Sequence, residues 1–441
     1  MKTYTEKSLL TRSREFIKHP GIFVLENSKR YGASFFLKLP LRHVLCTLDP
    51  EVMTHVLVKN QKNYRKSFAY KQLRLALGMG LVTSEGDYWR KQRRMAQPAF
   101  YKARLEDLFR GMFEVTEQYV EELAEKEGTT VDISAEMMKI TADVVLRTLF
   151  SADNDLDQKE MYRQMVGAQE YVIHRINYPL TRFMNYLNGR HRRFLQDRKA
   201  FDDTIIDLIR RRRNTENAPN DLLTMLLSAR DADTGEGMTE TQLRDEAITI
   251  FAAGHETSAN ALTWTLMLLS QHPETVKKLR TELREVLGGN TPTFADLPRL
   301  QYTKQVIEEG MRLYPPAHAV GREAVEADEI NGTKIKKNMI VLLSIFSMHR
   351  SELYYKNPEK FDPDRFAPER VKLRAKNTYL PFGAGPRMCI GNHFAMMEMQ
   401  LILASLLQKF DFEFAEGQNV EMHPLITLKP KQNIKLKMRF C

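Results

Sequence analysis

A chain of 441 residues with 43% hydrophobic and 28% charged side chains can bury a sizeable core, which excludes a disordered or fibrous protein. Its net charge of +10 is dispersed and accompanied by no nucleic-acid-binding motif, so no nucleic-acid partner is expected. Three cysteines at unrelated spacings (Cys46, Cys389, Cys441) argue against a disulfide framework and a zinc site and fit a reducing cytoplasm.

Residues 1–20 mix charged and short apolar pieces, with no signal-peptide core and no run long enough to span a bilayer. Segments 34–39 and 42–48, separated by Pro40, read as a hairpin. From about 50 to 315 the pattern is helical, punctuated at Pro98, Gly128, Pro179, 214–220, 231–238 and Gly288–Gly289. The run Arg210–Arg213 reads as a solvated helix end. Beyond 315 come short strands, a Pro- and Asp-rich stretch (Asn357–Pro368), a glycine-rich loop (382–391) and a helix from His393 to Phe410. Period-two alternation follows in 411–414 and 434–437. The expected fold is mainly α with small β-sheets at its edges, about 34–48, 318–345 and 411–441. Length alone would allow roughly two or three domains, but no linker or repeat divides the chain.

Three helices carry unusual residues. The first has Trp89 and Arg93 four apart, so an indole N–H and a guanidinium share one face, a pair suited to a carboxylate. The second, from about Thr239 to Gln271, is apolar around most of its circumference, opens with a Thr239/Gln242 capping box and stops before Pro273. Its middle is interrupted by Gly254, His255, Glu256, Thr257 and Ser258. An interior glycine costs about 1 kcal/mol relative to alanine and needs a reason. Taken alone, Thr257 bonds back to the carbonyl one turn earlier, and His255 reads as packing or a solvent contact. The third, Leu300 to Tyr314, sets Glu309 and Arg312 three apart on one face.

The glycine-rich loop is Phe382-Gly383-Ala384-Gly385-Pro386-Arg387-Met388-Cys389-Ile390-Gly391. It places a lone thiol just before a helix N-terminus, where the macrodipole and free N–H groups favour thiolate, the form an iron ligand needs.

This decamer matches F-x-x-G-x-R-x-C-x-G, and the chain resembles the cytochrome P-450 family of haem-thiolate monooxygenases. Three further signatures stand in the family's order: Trp89-x-x-x-Arg93, Ala253-Gly254-x-x-Thr257 and Glu309-x-x-Arg312, the last followed by Pro363-Asp364-Arg365-Phe366. The resemblance implies the single-domain fold of that family over 1–441, with haem b ligated through iron by Cys389. Phe382, Gly391 and Ala253 would adjoin the haem, and Trp89, Arg93, Arg387 and Arg322 would meet its propionates. Thr257 and Glu256 would activate dioxygen and pass protons from solvent, with the helix widened locally at Gly254. Glu309, Arg312 and Arg365 would form a buried structural network. Arg90, Lys91 and Arg94 would belong to a basic face for an acidic ferredoxin- or flavodoxin-type donor and its reductase. A monomeric, cytoplasmic, bacterial-type enzyme without membrane anchor or fused reductase is implied. Its lipophilic substrate, a fatty acid or a terpenoid- or carotenoid-like compound, would meet Phe68–Leu77, 165–185, Ile250, Ala253, Ala317–Val320 and Ile426. The alternatives are a haem-thiolate isomerase or dehydratase, or a haem sensor on the same fold.

Overall fold

The computed structural model describes residues 3–4, 9–39, 42–151, 158–178 and 182–441; the expected breaks at Pro40 and Pro179 lie outside them. The described chain is mainly helical, with small sheets, as expected. No helix among the described residues is long and apolar enough to cross a membrane.

The longest helix, Glu240–Ser270, begins where both halves of the capping box close. Thr239 Oγ1 accepts from Gln242 N (3.3 Å), and Gln242 Oε1 accepts from Thr239 N (2.8 Å). It ends because Pro273 opens the next helix and holds His272 outside helical geometry, at φ −132° and ψ 72°. Most of its residues are buried against the helices Ile133–Phe150, Arg190–Arg213 and Gln301–Leu313. The helix is continuous through Gly254. A Cβ on Gly254 would stand 3.1 Å from Val145 Cγ2; the glycine admits the neighbouring helix.

The expected hairpin forms, with Ser34 opposite Thr47 and Leu39 opposite Arg42. It lies in a six-stranded sheet ordered Thr3–Tyr4, Ser34–Leu39, Arg42–Thr47, Ile340–Leu343, Val320–Ala324, Tyr64–Lys66. The last strand sets Lys66 opposite Arg322. A second sheet joins Phe410–Phe414, Lys435–Phe440 and Thr130–Asp132. Tyr64–Lys66 and Thr130–Asp132 fall inside the span read as helical, because three-residue strands carry too little periodicity to register. The arginine run also differs from expectation. Arg210, Arg211 and Arg213 are exposed, but Arg212 turns inward to the Asp221 carboxylate and the Phe150 carbonyl (2.6 Å).

Candidate active site

The Cys loop is shaped by backbone constraints. Gly383 and Gly385 have φ of +74° and +70°, the left-handed region that glycine enters without penalty. At Gly385 a Cβ would lie 2.1 Å from Leu57 O, so the loop is wedged backbone to backbone against the π-helical turn His55–Lys59. Cys389 N donates to Phe382 O (2.9 Å), closing the loop. The helix Asn392–Lys409 follows at once, with Gly391 as its N-cap. Gly391 has φ −94°, and a Cβ there would meet Phe100 at an ordinary 3.8 Å, so no backbone demand explains this glycine.

Cys389 is accessible by surface area, yet protein surrounds it closely enough that burial pushes its thiol up, while the Gly391 N–H and the Arg93 charge pull it down. Sequence reasoning expected the helix terminus to dominate; desolvation outweighs it. Accessible area among dense protein means that open space adjoins the thiol. Ala253 shows the same feature: it is exposed in the middle of an otherwise buried helix, one turn from half-buried Thr257.

The helix Gly86–Ala96 holds the loop. Arg93 Nη1 donates to Met388 O (3.0 Å), and the Arg387 guanidinium lies 3.7 Å above the Trp89 ring while donating to Ser84 O (2.9 Å). Beside them are Arg322 and a residue the sequence did not reveal, Lys66, both buried. Burial, then Arg387 and Arg322, bring the Lys66 amine down to about 6; burial and Arg322 bring Arg387 down to about 10. The carboxylate acting on both is Glu85, which Arg74 also approaches at 3.8 Å. Cations that depress one another in a low-dielectric interior call for an anionic partner. The two propionates of a haem have that charge, and the thiol suits its iron, so these residues fit the group.

The expected network is present with altered bonding. Arg312 and Glu309 are fully buried and paired through Nε–Oε2 (2.7 Å) and Nη2–Oε1 (2.8 Å), and Arg312 also donates to the His349 carbonyl (2.7 Å). Arg365 Nε stands 3.4 Å from Glu309 Oε1 without hydrogen-bond geometry, and its Nη2 donates to Asn357 O instead. Asp362 N takes the place beside Glu309 Oε1 (2.8 Å).

On the helix Glu240–Ser270, Thr257 Oγ1 donates to Ala253 O (2.7 Å), the back-bond its local sequence allows. Glu256 is buried, and its oxygens accept from Gln169 Nε2 (2.5 Å) and Thr427 Oγ1 (2.7 Å). Sequence reasoning missed both partners, which lie far along the chain. His255 is packed, with Nδ1 donating to Phe251 O (2.6 Å) and its ring against Phe251; burial holds it neutral.

Of the expected pocket segments, Leu73, Val172 and Ile426 meet in one apolar cluster with Ala168, Tyr171 and Phe194. In the basic patch, Arg90 pairs with Asp87, Lys91 with Glu236, and Arg94 with Asp231 and Asp233.

Comparison with known proteins agrees with this geometry. The family model "Cytochrome P-450" matches residues 9–438. Cyclooctatin synthase of Streptomyces melanosporofaciens is 34% identical over 414 residues, covering 90% of this chain and 87% of the relative. A cytokinin hydroxylase of Arabidopsis thaliana is 33% identical over 430 residues, covering 93% and 82%. The crystal structure of the cytochrome P-450DA heme domain superposes with a TM-score of 0.90 at 25% identity, covering all of this chain and 96% of that one. The family implies a haem with a cysteine thiolate ligand and a need for redox partners. With a family model spanning nearly its whole length, the chain belongs to the cytochrome P-450 family and is an enzyme of the monooxygenase class.

Proposed function

We propose that this chain, as one domain, holds haem b through Cys389 and hydroxylates a lipophilic small molecule, using electrons from a separate ferredoxin- or flavodoxin-type donor and its reductase. The observation that carries this reading is the accessible thiol of Cys389 two residues after Arg387, which belongs to an under-neutralised cation cluster with Lys66 and Arg322. When bound, the haem supplies dioxygen binding and reductive activation.

The chain's residues do the rest. Lys66, Arg322 and Arg387 neutralise the propionates, and Trp89 keeps Arg387 in place by cation–π contact. Arg93 and the Gly391 N–H stabilise negative charge on the Cys389 sulfur. Thr257 turns its hydroxyl from the Ala253 carbonyl toward the cavity and presents a proton at Oγ1, which Glu256 replenishes. Leu73, Val172 and Ile426 exclude water and favour an apolar substrate.

Turnover under isotopically labelled dioxygen, with a surrogate ferredoxin and reductase, tests the reaction class. One labelled oxygen atom in the product is expected; a rearranged or dehydrated product without label would favour the isomerase or dehydratase. Thr257→Ala should release more peroxide per electron consumed, and unchanged coupling would remove Thr257 from the mechanism.

A further inference from the structure

Both oxygens of Glu256 are held by neutral donors from two other elements, and all three side chains are buried. Thr427 has one hydroxyl hydrogen. Its oxygen accepts from Asn260 Nδ2 (3.2 Å), which leaves that hydrogen directed at Glu256. The turn carrying Thr427 is pinned to the frame at three points: Leu428 N to Pro316 O (3.0 Å), Trp264 Nε1 to Leu428 O (3.1 Å) and His318 Nε2 to Leu425 O (3.1 Å). Gln169 lies in the helix Gln158–Asn177, beside Ala168 and three residues before Val172, which pack in the apolar cluster with Leu73 and Ile426. Its Oε1 is buried without a hydrogen-bond partner among the described residues, so the bond this amide makes there is the one from Nε2 to Glu256. A buried amide left half-satisfied is a cost that packing alone does not repay.

We propose that Gln169 and Thr427 are positioning residues for proton delivery: they hold the Glu256 carboxylate next to Thr257 and couple its placement to the packing of the apolar cluster. This rests on the relay reading of Glu256 and Thr257 given above. Thr427 supplies the fixed end. Gln169 supplies the end carried by the helix Gln158–Asn177, so an occupant of the apolar cluster reaches the relay through it.

The test uses the haem-loaded enzyme with a surrogate donor, measuring peroxide per electron and the solvent deuterium isotope effect. Gln169→Leu and Thr427→Val should each lower product per electron roughly tenfold, the weight of one lost hydrogen bond to a charged group. Both should raise the isotope effect, with the ligand-induced spin shift unchanged. Thr427→Ser, which keeps the hydroxyl, should restore coupling. Independently of turnover, Glu256→Leu should speed amide hydrogen exchange around Gln169 and in the Thr427 turn, again by roughly tenfold. If Glu256→Gln uncouples the enzyme while Gln169→Leu and Thr427→Val do not, or exchange is unchanged, the positioning role is wrong. If Glu256→Gln and Thr257→Ala also leave coupling intact, the relay reading falls and takes the inference with it.

Discussion

On the Cys389 side, ten consecutive residues build the site: two glycines at positive φ, one closing bond from Cys389 N to Phe382 O, and a helix that starts at once. On the Glu256 side, the two bonds that orient the carboxylate come from residues 87 and 171 positions away. The first construction is stiff because the backbone has no alternative. The second depends on how separate elements pack, which makes it the side that can respond to a ligand and vary in specificity.

Substitutions that separate these two modes have ordered effects. Gly385→Ala should be the most damaging, because it strains a φ of +70° and drives a methyl group into Leu57 O, which is main chain and cannot step aside. Failure to retain haem, read from the absorbance ratio of haem to protein, is expected; normal haem content would show that the wedge is not needed. Glu309→Gln comes next. It leaves Arg312 charged, fully buried and unpaired, and should cost about 3–5 kcal/mol, measured as a fall in thermal stability and in haem retention.

Glu398, on the helix after Cys389, is fully buried and is pushed up to about 8 by desolvation, partly offset by Ser258 of the Glu240–Ser270 helix. A raised folded-state value means the native protein holds a proton that the unfolded chain has lost. The stabilisation is full below about 4.5 and disappears as pH rises through about 8, at roughly 1.4 kcal/mol per pH unit. Thermal stability should therefore fall between pH 5 and 8, and Glu398→Gln, always neutral, should flatten that slope. An unchanged slope would show that Glu398 is charged in the native protein.

The smallest stability effect belongs to the distal side. Thr427→Val replaces a hydroxyl by a methyl of similar shape and should cost about 1–3 kcal/mol, despite its large expected effect on coupling. A loss of stability as great as that of Glu309→Gln would mean that the distal contacts are as structural as the proximal ones.

This division also decided what could be read from the sequence. The Cys loop, the capped central helix and the Glu309–Arg312 pair rest on residues within one or two turns of each other, so spacing alone located them. Lys66 could not be found that way. It gains its place by strand pairing with Arg322, more than half the chain away, on a strand of three residues. The same applies to Gln169 and Thr427. Gly254 could be located in the sequence, but the Val145 side chain that a Cβ there would meet could not. For Lys91 and Arg94, read as part of a basic face, the acidic partners sit in the 231–236 turn, which only the fold brings near.

The central claim is that Cys389 supplies the thiolate ligand of a haem, and the most direct test is the absorption spectrum of the reduced protein under carbon monoxide. The wild type should show the strongly red-shifted Soret band of a thiolate-ligated haem, and Cys389→Ser should lose it. A Soret band without that shift in the wild type, or one that persists in Cys389→Ser, would contradict it.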